Sequence, residues 1–189
     1  PTYHNMIPLF RNLGVEILEA KMEDDGIDVT EVEQLIKDRK PAFVYTMPNF
    51  QNPTGISMSQ VKREKLLEIC VKHNTPIVED GFEEEMKYFG KAVLPIKSMD
   101  KKKVVIYLST FSKVLFPGIR MGWIAADKAC IARLTAIKRF CDLSSSTVIQ
   151  SALSAFIRNG YYNSHLRRMH RSFRKRMSTA LESLEACMP

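Results

Sequence analysis

The chain has 189 residues, 45% of them hydrophobic and 26% charged, with a formal net charge of +7. That is enough sequence for one domain with a real core, and its composition is that of an ordinary soluble globular protein. No apolar run in this sequence approaches the length of a membrane span. The positive surplus is of the kind that attracts nucleic acid or anionic ligands, but much of it sits in one C-terminal segment. Cys70, Cys130, Cys141 and Cys187 are scattered without CxxC spacing and read as buried, reduced thiols of a cytosolic protein.

In chain order, residues 1–5 read as a loop and Met6 to Asn12 as a short helix. Val15, Ile17 and Leu18 read as a short strand, and Asp24-Asp25-Gly26 is a turn signal. Asp28 or Thr30 can cap a helix through Lys37, with Glu31 or Glu33 completing a capping box. A buried strand follows at Ala42 to Thr46, then a loop from Pro48 to Gly55. Ser57 or Ser59 starts a helix to His73, with Val61, Lys65, Leu66, Ile69 and Cys70 at helical spacing. Further strands fall at Ile77 to Asp80, Val104 to Leu108 and Gly122 to Ala126. Strands alternating with helices imply an α/β layer structure with a mainly parallel sheet. Beyond Ala126 the chain reads as helical: Asp127 caps a helix through Phe140, and Ser144 to Ser146 cap another to about Arg158, which Asn159-Gly160 stops. A long helix from Asn163 carries Arg167, Arg168, Arg171, Arg174, Lys175 and Arg176. This basic run reads as a solvated helix face, with an anion or DNA face as the alternative. His73, His165 and His170 read as surface residues.

The chemistry concentrates in Tyr107 to Trp123. Val104 to Leu108 runs without a charge, and strand ends in α/β proteins are where ligands bind. Thr110 and Ser112 then precede Lys113 by three and one residues, and Arg120 follows it by seven. Hydroxyls with a planar guanidinium suit a phosphate. A lysine beside a phosphate site points to a phosphorylated cofactor whose carbonyl the amine can capture; a surface lysine next to a structural Pro-Gly turn explains the same residues.

Thr110-Phe111-Ser112-Lys113 with Arg120 resembles the (Ser/Thr)-x-Ser-Lys…Arg segment of fold-type I pyridoxal-phosphate (PLP) enzymes, the aminotransferase class I/II family. Three further motifs agree with it in order. Asn52-Pro53-Thr54-Gly55 resembles the family's NPTG signature, Asp80 matches the aspartate that pairs with the pyridine nitrogen, and Tyr3 matches the aromatic that stacks on the pyridine ring. Within the family the chain most resembles the aminotransferase-like domain of MocR/GntR-type transcriptional regulators, and next the 2-aminoadipate and kynurenine aminotransferases.

The resemblance implies the large, PLP-binding domain of the aspartate-aminotransferase type: a mixed, mostly parallel sheet with helices on both faces, here as a fragment. Residues 1–160 are expected to be part of that domain, and 161–189 a long helix leading toward a small C-terminal domain. It implies transamination through a Lys113 Schiff base in the intact protein. Lys113 is then the catalytic residue, with Tyr3, Asn52, Asp80, Thr110, Ser112, Lys113 and Arg120 binding PLP and no metal taking part. The implied partners are amino acid and 2-oxo acid substrates or effectors and a second copy in a cytoplasmic homodimer, with DNA bound only through an upstream domain. The alternative is a PLP- or amino-acid-sensing domain of a GntR/MocR-type regulator. In one respect the sequence departs from its relatives, which often carry a tyrosine two or three residues after the aspartate. Phe82 and Glu83 stand there, leaving Asn52 as the expected side-chain donor to the cofactor's phenolic oxygen.

Overall fold

The structure is a computed structural model that describes residues 1–82, 84–89 and 93–188. After α1 (Met6–Asn12), the Asp24-Asp25 turn joins β1 (Met22–Glu23) to β2 (Gly26–Ile27) as a short antiparallel pair. The strand expected at Val15, Ile17 and Leu18 does not form; among the described residues no strand pairs with this segment. The turn instead brings Met22 opposite Ile27, and the Asp28 N–H closes this segment on the Lys21 carbonyl.

Asp28 caps α2 (Val29–Arg39), accepting from the Thr30 and Glu31 N–H groups at 2.9 and 3.1 Å. The expected capping box is not made. The Glu31 carboxylate accepts from the Lys21 N–H at 2.6 Å, and the Asp28 N–H is already bonded elsewhere. Val29, Val32 and Ile36 form the buried stripe of α2. Following β3 (Val44–Thr46), Ser59 caps α3 (Gln60–Lys72), which buries Arg63, Leu66, Ile69 and Cys70. Next come β4 (Ile77–Asp80), α4 (Ile96–Met99), β5 (Val105–Thr110) and β6 (Gly122–Ala125).

The sheet order is β3-β4-β5-β6, parallel for the first three and antiparallel at β6. Register pairs Val44 with Ile77 and Ile77 with Val105, so these three share one face. Against them pack α2, α3 and α4, closing a core that includes Met58, Leu66, Ile69, Cys70 and Ile96. Truncating a fully buried aliphatic such as Leu66 in such a core costs about 2–5 kcal/mol. The opposite face carries Tyr45, Val78, Asp80, Ile106, Leu108 and Thr110 and is half-buried. Phe10 of α1 lies on it, its ring edge-on to Phe43 and Tyr45. Helices therefore cover both faces of a mixed, mostly parallel sheet, as the sequence implies.

The C-terminal part is α5 (Lys128–Asp142), α6 (Thr147–Arg158) and α7 (Tyr161–Cys187), capped by Asp127, Ser146 and Gly160 in turn. The last helix begins two residues before Asn163, because Gly160 adopts the left-handed conformation (φ 76°) and turns the chain straight out of α6. No helix among the described residues is long and apolar enough to cross a membrane. Of the cysteines only Cys70 is buried, and burial pushes its thiol up to about 12; Cys141 and Cys187 are exposed, contrary to the reading of all four as buried.

Glu33 ties α2 to α3. Its carboxylate lies 2.9 Å from Lys72 Nζ, 3.2 Å from His73 Nε2 and 3.3 Å from Lys37 Nζ. The Lys72 ammonium first, then His73 and Lys37, hold its pKa down from 4.5 to about 2. A depressed folded-state value means stability that is present above the unfolded value and lost as the carboxylate protonates. Unfolding measured between pH 4.5 and 2 is expected to show stability falling with pH, and Glu33→Gln to flatten that slope. Equal slopes for the two proteins would remove Glu33 from the acid response.

Candidate active site

Three parallel strands end side by side, so whatever follows β3, β4 and β5 converges on one sheet edge. Asp80 is the last residue of β4 and lies opposite Leu108; Thr110, two residues further along β5, shares its face. Beyond β5 the chain turns sharply. Thr110 Oγ1 accepts from the Ser112 N–H at 3.1 Å and lies 3.1 Å from Ser112 Oγ and 3.2 Å from the Met121 carbonyl. Thr110 thus folds the turn that lifts Ser112 and Lys113 off the strand end. Lys113 is exposed, and so is Arg120, which closes a short 3-10 turn at Pro117–Ile119 in the left-handed conformation (φ 47°). Among the described residues no side chain pairs with the Lys113 amine or the Arg120 guanidinium.

Asp80 is half-buried. Its Oδ2 accepts from the Tyr45 hydroxyl at 2.7 Å. Burial pushes its carboxyl pKa up, opposed by the Tyr45 hydroxyl and the Phe82 N–H. Burial first, then the Asp80 charge, drive the Tyr45 phenol far above its ordinary value. Tyr3, in the first loop, accepts from Asn5 Nδ2 at 2.8 Å and lies close enough to Tyr45 to add to that upward push. Asn52 follows β3 at a cis bond to Pro53, half-buried, its side-chain amide unbonded among the described residues. The loop that carries it is pinned from below. Arg63, fully buried, donates from Nη2 to the Pro48 carbonyl (2.8 Å) and Asn49 Oδ1 (2.6 Å), and from Nε and Nη1 to the Met58 and Leu94 carbonyls at 3.0 and 3.2 Å. Gln51 and Thr54 close it from within, Thr54 Oγ1 lying 2.6 Å from Gln51 Oε1.

The edge is supported from the other face as well. A cavity of about 60 Å³ lies beneath it, lined in part by Gly81, Phe82, Tyr107, Ser109, Trp123 and Tyr162. Glu83, the other position of the expected tyrosine, lies outside the described residues. Gly81 leaves no room for a side chain: a Cβ there would stand 2.2 Å from the Tyr107 hydroxyl oxygen. Gly81→Ala is expected to cost about 1–3 kcal/mol in thermal unfolding, since Tyr107 must move; an unchanged melting temperature would contradict this packing. The first half of α7 straps the same loops. Tyr162 packs edge-on to Phe111, His165 Nε2 donates to the Val114 carbonyl at 2.6 Å, His170 Nε2 donates to the Glu85 carbonyl at 2.6 Å, and Arg174 Nε donates to the Tyr88 carbonyl at 3.0 Å. His165 and His170 are therefore bracing groups rather than free surface residues, and His73 faces Glu33. Nothing local in the sequence marks these contacts.

A family model for aminotransferase class I and II matches residues 1–188. The chain belongs to the aminotransferase class I and II family. This aminotransferase domain is 36% identical over its whole length to aromatic-amino-acid aminotransferase 1 of Thermococcus litoralis, covering 46% of that protein. It is 33% identical over 98% of its length to the uncharacterized HTH-type transcriptional regulator YisV of Bacillus subtilis, covering 38% of it. Among solved structures it superposes on the kynurenine aminotransferase of Pyrococcus horikoshii, in complex with PMP, with a TM-score of 0.93 and 32% identity, covering all of this chain and 48% of that one. The domain thus spans less than half the length of these relatives.

Proposed function

We propose that the intact protein is a PLP-dependent aminotransferase that moves an amino group between an amino acid and a 2-oxo acid, as a homodimer in the cytoplasm. The observation that carries this reading is the convergence, on one sheet edge, of a half-buried carboxylate and a turn presenting a lysine and an arginine that have no side-chain partner among the described residues. That donor set fits PLP group by group. Asp80, held by the Tyr45 hydroxyl at Oδ2, offers a carboxylate to a protonated pyridine nitrogen. Asn52 offers a neutral donor to the phenolic oxygen, Ser112 and Arg120 offer a hydroxyl and a fork to the phosphate, and Tyr3 offers an aromatic face. Thr110, its hydroxyl turned toward its own loop, contributes mainly by shaping the turn.

PLP when bound supplies an electron sink that a protonated ring makes stronger. Lys113 is the nucleophile toward the cofactor carbonyl, and once released its amine moves the proton to and from the substrate Cα. Residues 1–160 form part of the large domain in this reading, and 161–189 lead toward a small C-terminal domain, with Pro189 outside the described residues. Mixed with PLP, the full-length protein is expected to bind it, and borohydride to fix the label on Lys113; a label mapped to another residue would overturn the assignment. Arg120→Ala is expected to weaken PLP binding by about 1.5–3 kcal/mol, and Arg120→Lys to restore only part of it.

A second reading, a PLP- or amino-acid-sensing domain of a GntR/MocR-type regulator, rests on the similarity to YisV, named as an HTH-type transcriptional regulator, over 98% of this chain. DNA would then be bound by a separate upstream helix-turn-helix. Sequencing the gene upstream of Pro1 tests it, and a helix-turn-helix there would favour the sensor.

A further inference from the structure

The hydroxyl of Tyr45 is the one side-chain donor that any described residue gives to the Asp80 carboxylate. Tyr45 sits on β3 opposite Val78, so it shares a face with Asp80 and reaches it on the diagonal between neighbouring strands. Its ring is braced by Phe10, 6.3 Å away between centroids, and its hydroxyl proton is committed to Oδ2 at 2.7 Å. A donor so committed cannot also serve the phenolic oxygen of a ring lying over this edge. We propose that Tyr45 is a positioning residue for Asp80: it fixes the plane of the carboxylate and so orients it toward the pyridine nitrogen of the cofactor. This rests on the assignment of Asp80 made above.

The electrostatics agree. The groups around the carboxylate are Tyr45, the Phe82 N–H and, behind Tyr45, Tyr3. Burial alone favours the neutral acid, which cannot hold a proton on a pyridine nitrogen; the two hydrogen bonds oppose it. The phenol stays un-ionised because burial and Asp80 both resist its charge, so it remains a donor throughout the physiological range. At Asp80 the phenol hydroxyl acts on the ring-nitrogen end of the cofactor, whereas Phe82 offers no donor at the oxygen end.

The test uses the full-length protein loaded with PLP labelled with nitrogen-15 in the ring. Tyr45→Phe keeps the ring and removes the hydroxyl. At one fixed near-neutral pH its pyridine nitrogen resonance is expected to move toward the unprotonated position, and kcat to fall about ten- to a hundredfold with a smaller change in KM. Replacing Tyr45 by 3-fluorotyrosine, a stronger donor of similar shape, is expected to move the resonance the other way; this arm stands even where Tyr45→Phe fails to fold. Asp80→Asn is the reference. If Asp80→Asn shifts the resonance and neither change at Tyr45 does, Tyr45 has no such role while Asp80 keeps its own. If Asp80→Asn leaves the resonance in place, the assignment of Asp80 falls and this inference with it.

Discussion

Lys113→Ala in the full-length protein is expected to abolish measurable transamination. The proton transfer at the substrate Cα alone contributes about 10²–10⁴-fold, and the covalent hold on the cofactor is lost as well. The amine is exposed and carries no salt bridge or hydrogen bond among the described residues, so its removal strands no buried partner. The melting temperature without cofactor should therefore stay near that of the natural protein. Turnover and borohydride-fixed label, measured on the same preparation, separate the two effects. A variant that still turns over within tenfold of the natural protein, or still forms a reducible adduct, would remove Lys113 from the chemistry.

A large loss of stability is expected at Arg63. Its guanidinium is fully buried and serves the Pro48, Met58 and Leu94 carbonyls and Asn49 Oδ1, which belong to three separate stretches of chain. Arg63→Ala leaves several buried acceptors without this donor, at about 1–3 kcal/mol for each that finds no substitute, so a net cost of about 3–5 kcal/mol is reasonable after relaxation. Lysine cannot present five donors in a fork, so Arg63→Lys should recover less than half. Urea unfolding of the three proteins checks this. A loss under 1 kcal/mol in the alanine variant would mean that the loop carrying Asn52 is held by its own contacts, chiefly those of Gln51 and Thr54.

What could be read from sequence divides along the range of the interactions. Caps are local, so Asp28, Ser59, Asp127 and the serine run ending at Ser146 mark helix starts correctly. The end of β4 is legible at Asp80, whereas β5, read as ending at Leu108, runs two residues further to Thr110, where the chain has already turned polar. Contacts between distant residues are not legible. Tyr45 and Asp80 are 35 residues apart, and His165 and Val114 are 51 apart. Glu31 suits a capping box by spacing, yet a backbone N–H ten residues earlier takes its carboxylate. Val15, Ile17 and Leu18 have strand-forming side chains but no neighbouring strand to pair with, and propensity without a partner makes no sheet. Arg63 sits within a helical pattern that reads as amphipathic, and nothing in its neighbours announces that a charged residue is as fully buried as Leu66 and Cys70.

The geometry of α7 has a mechanical side. At 1.5 Å per residue its 27 residues extend about 40 Å. Its fastenings to the sheet-edge loops, at Tyr162, His165, His170 and Arg174, all lie in its first half, and beyond Arg174 none of its described residues is buried. It is a cantilever clamped at one end, and the clamp grips the carbonyl next to Lys113. Torque applied near Cys187 by any mass attached there reaches the Val114 and Glu85 carbonyls through hydrogen bonds rather than through loosely packed side chains. The free arm beyond Arg174 is about as long as the clamped one, and a load on it bears on the loop that follows Asp80 and the loop that carries Lys113.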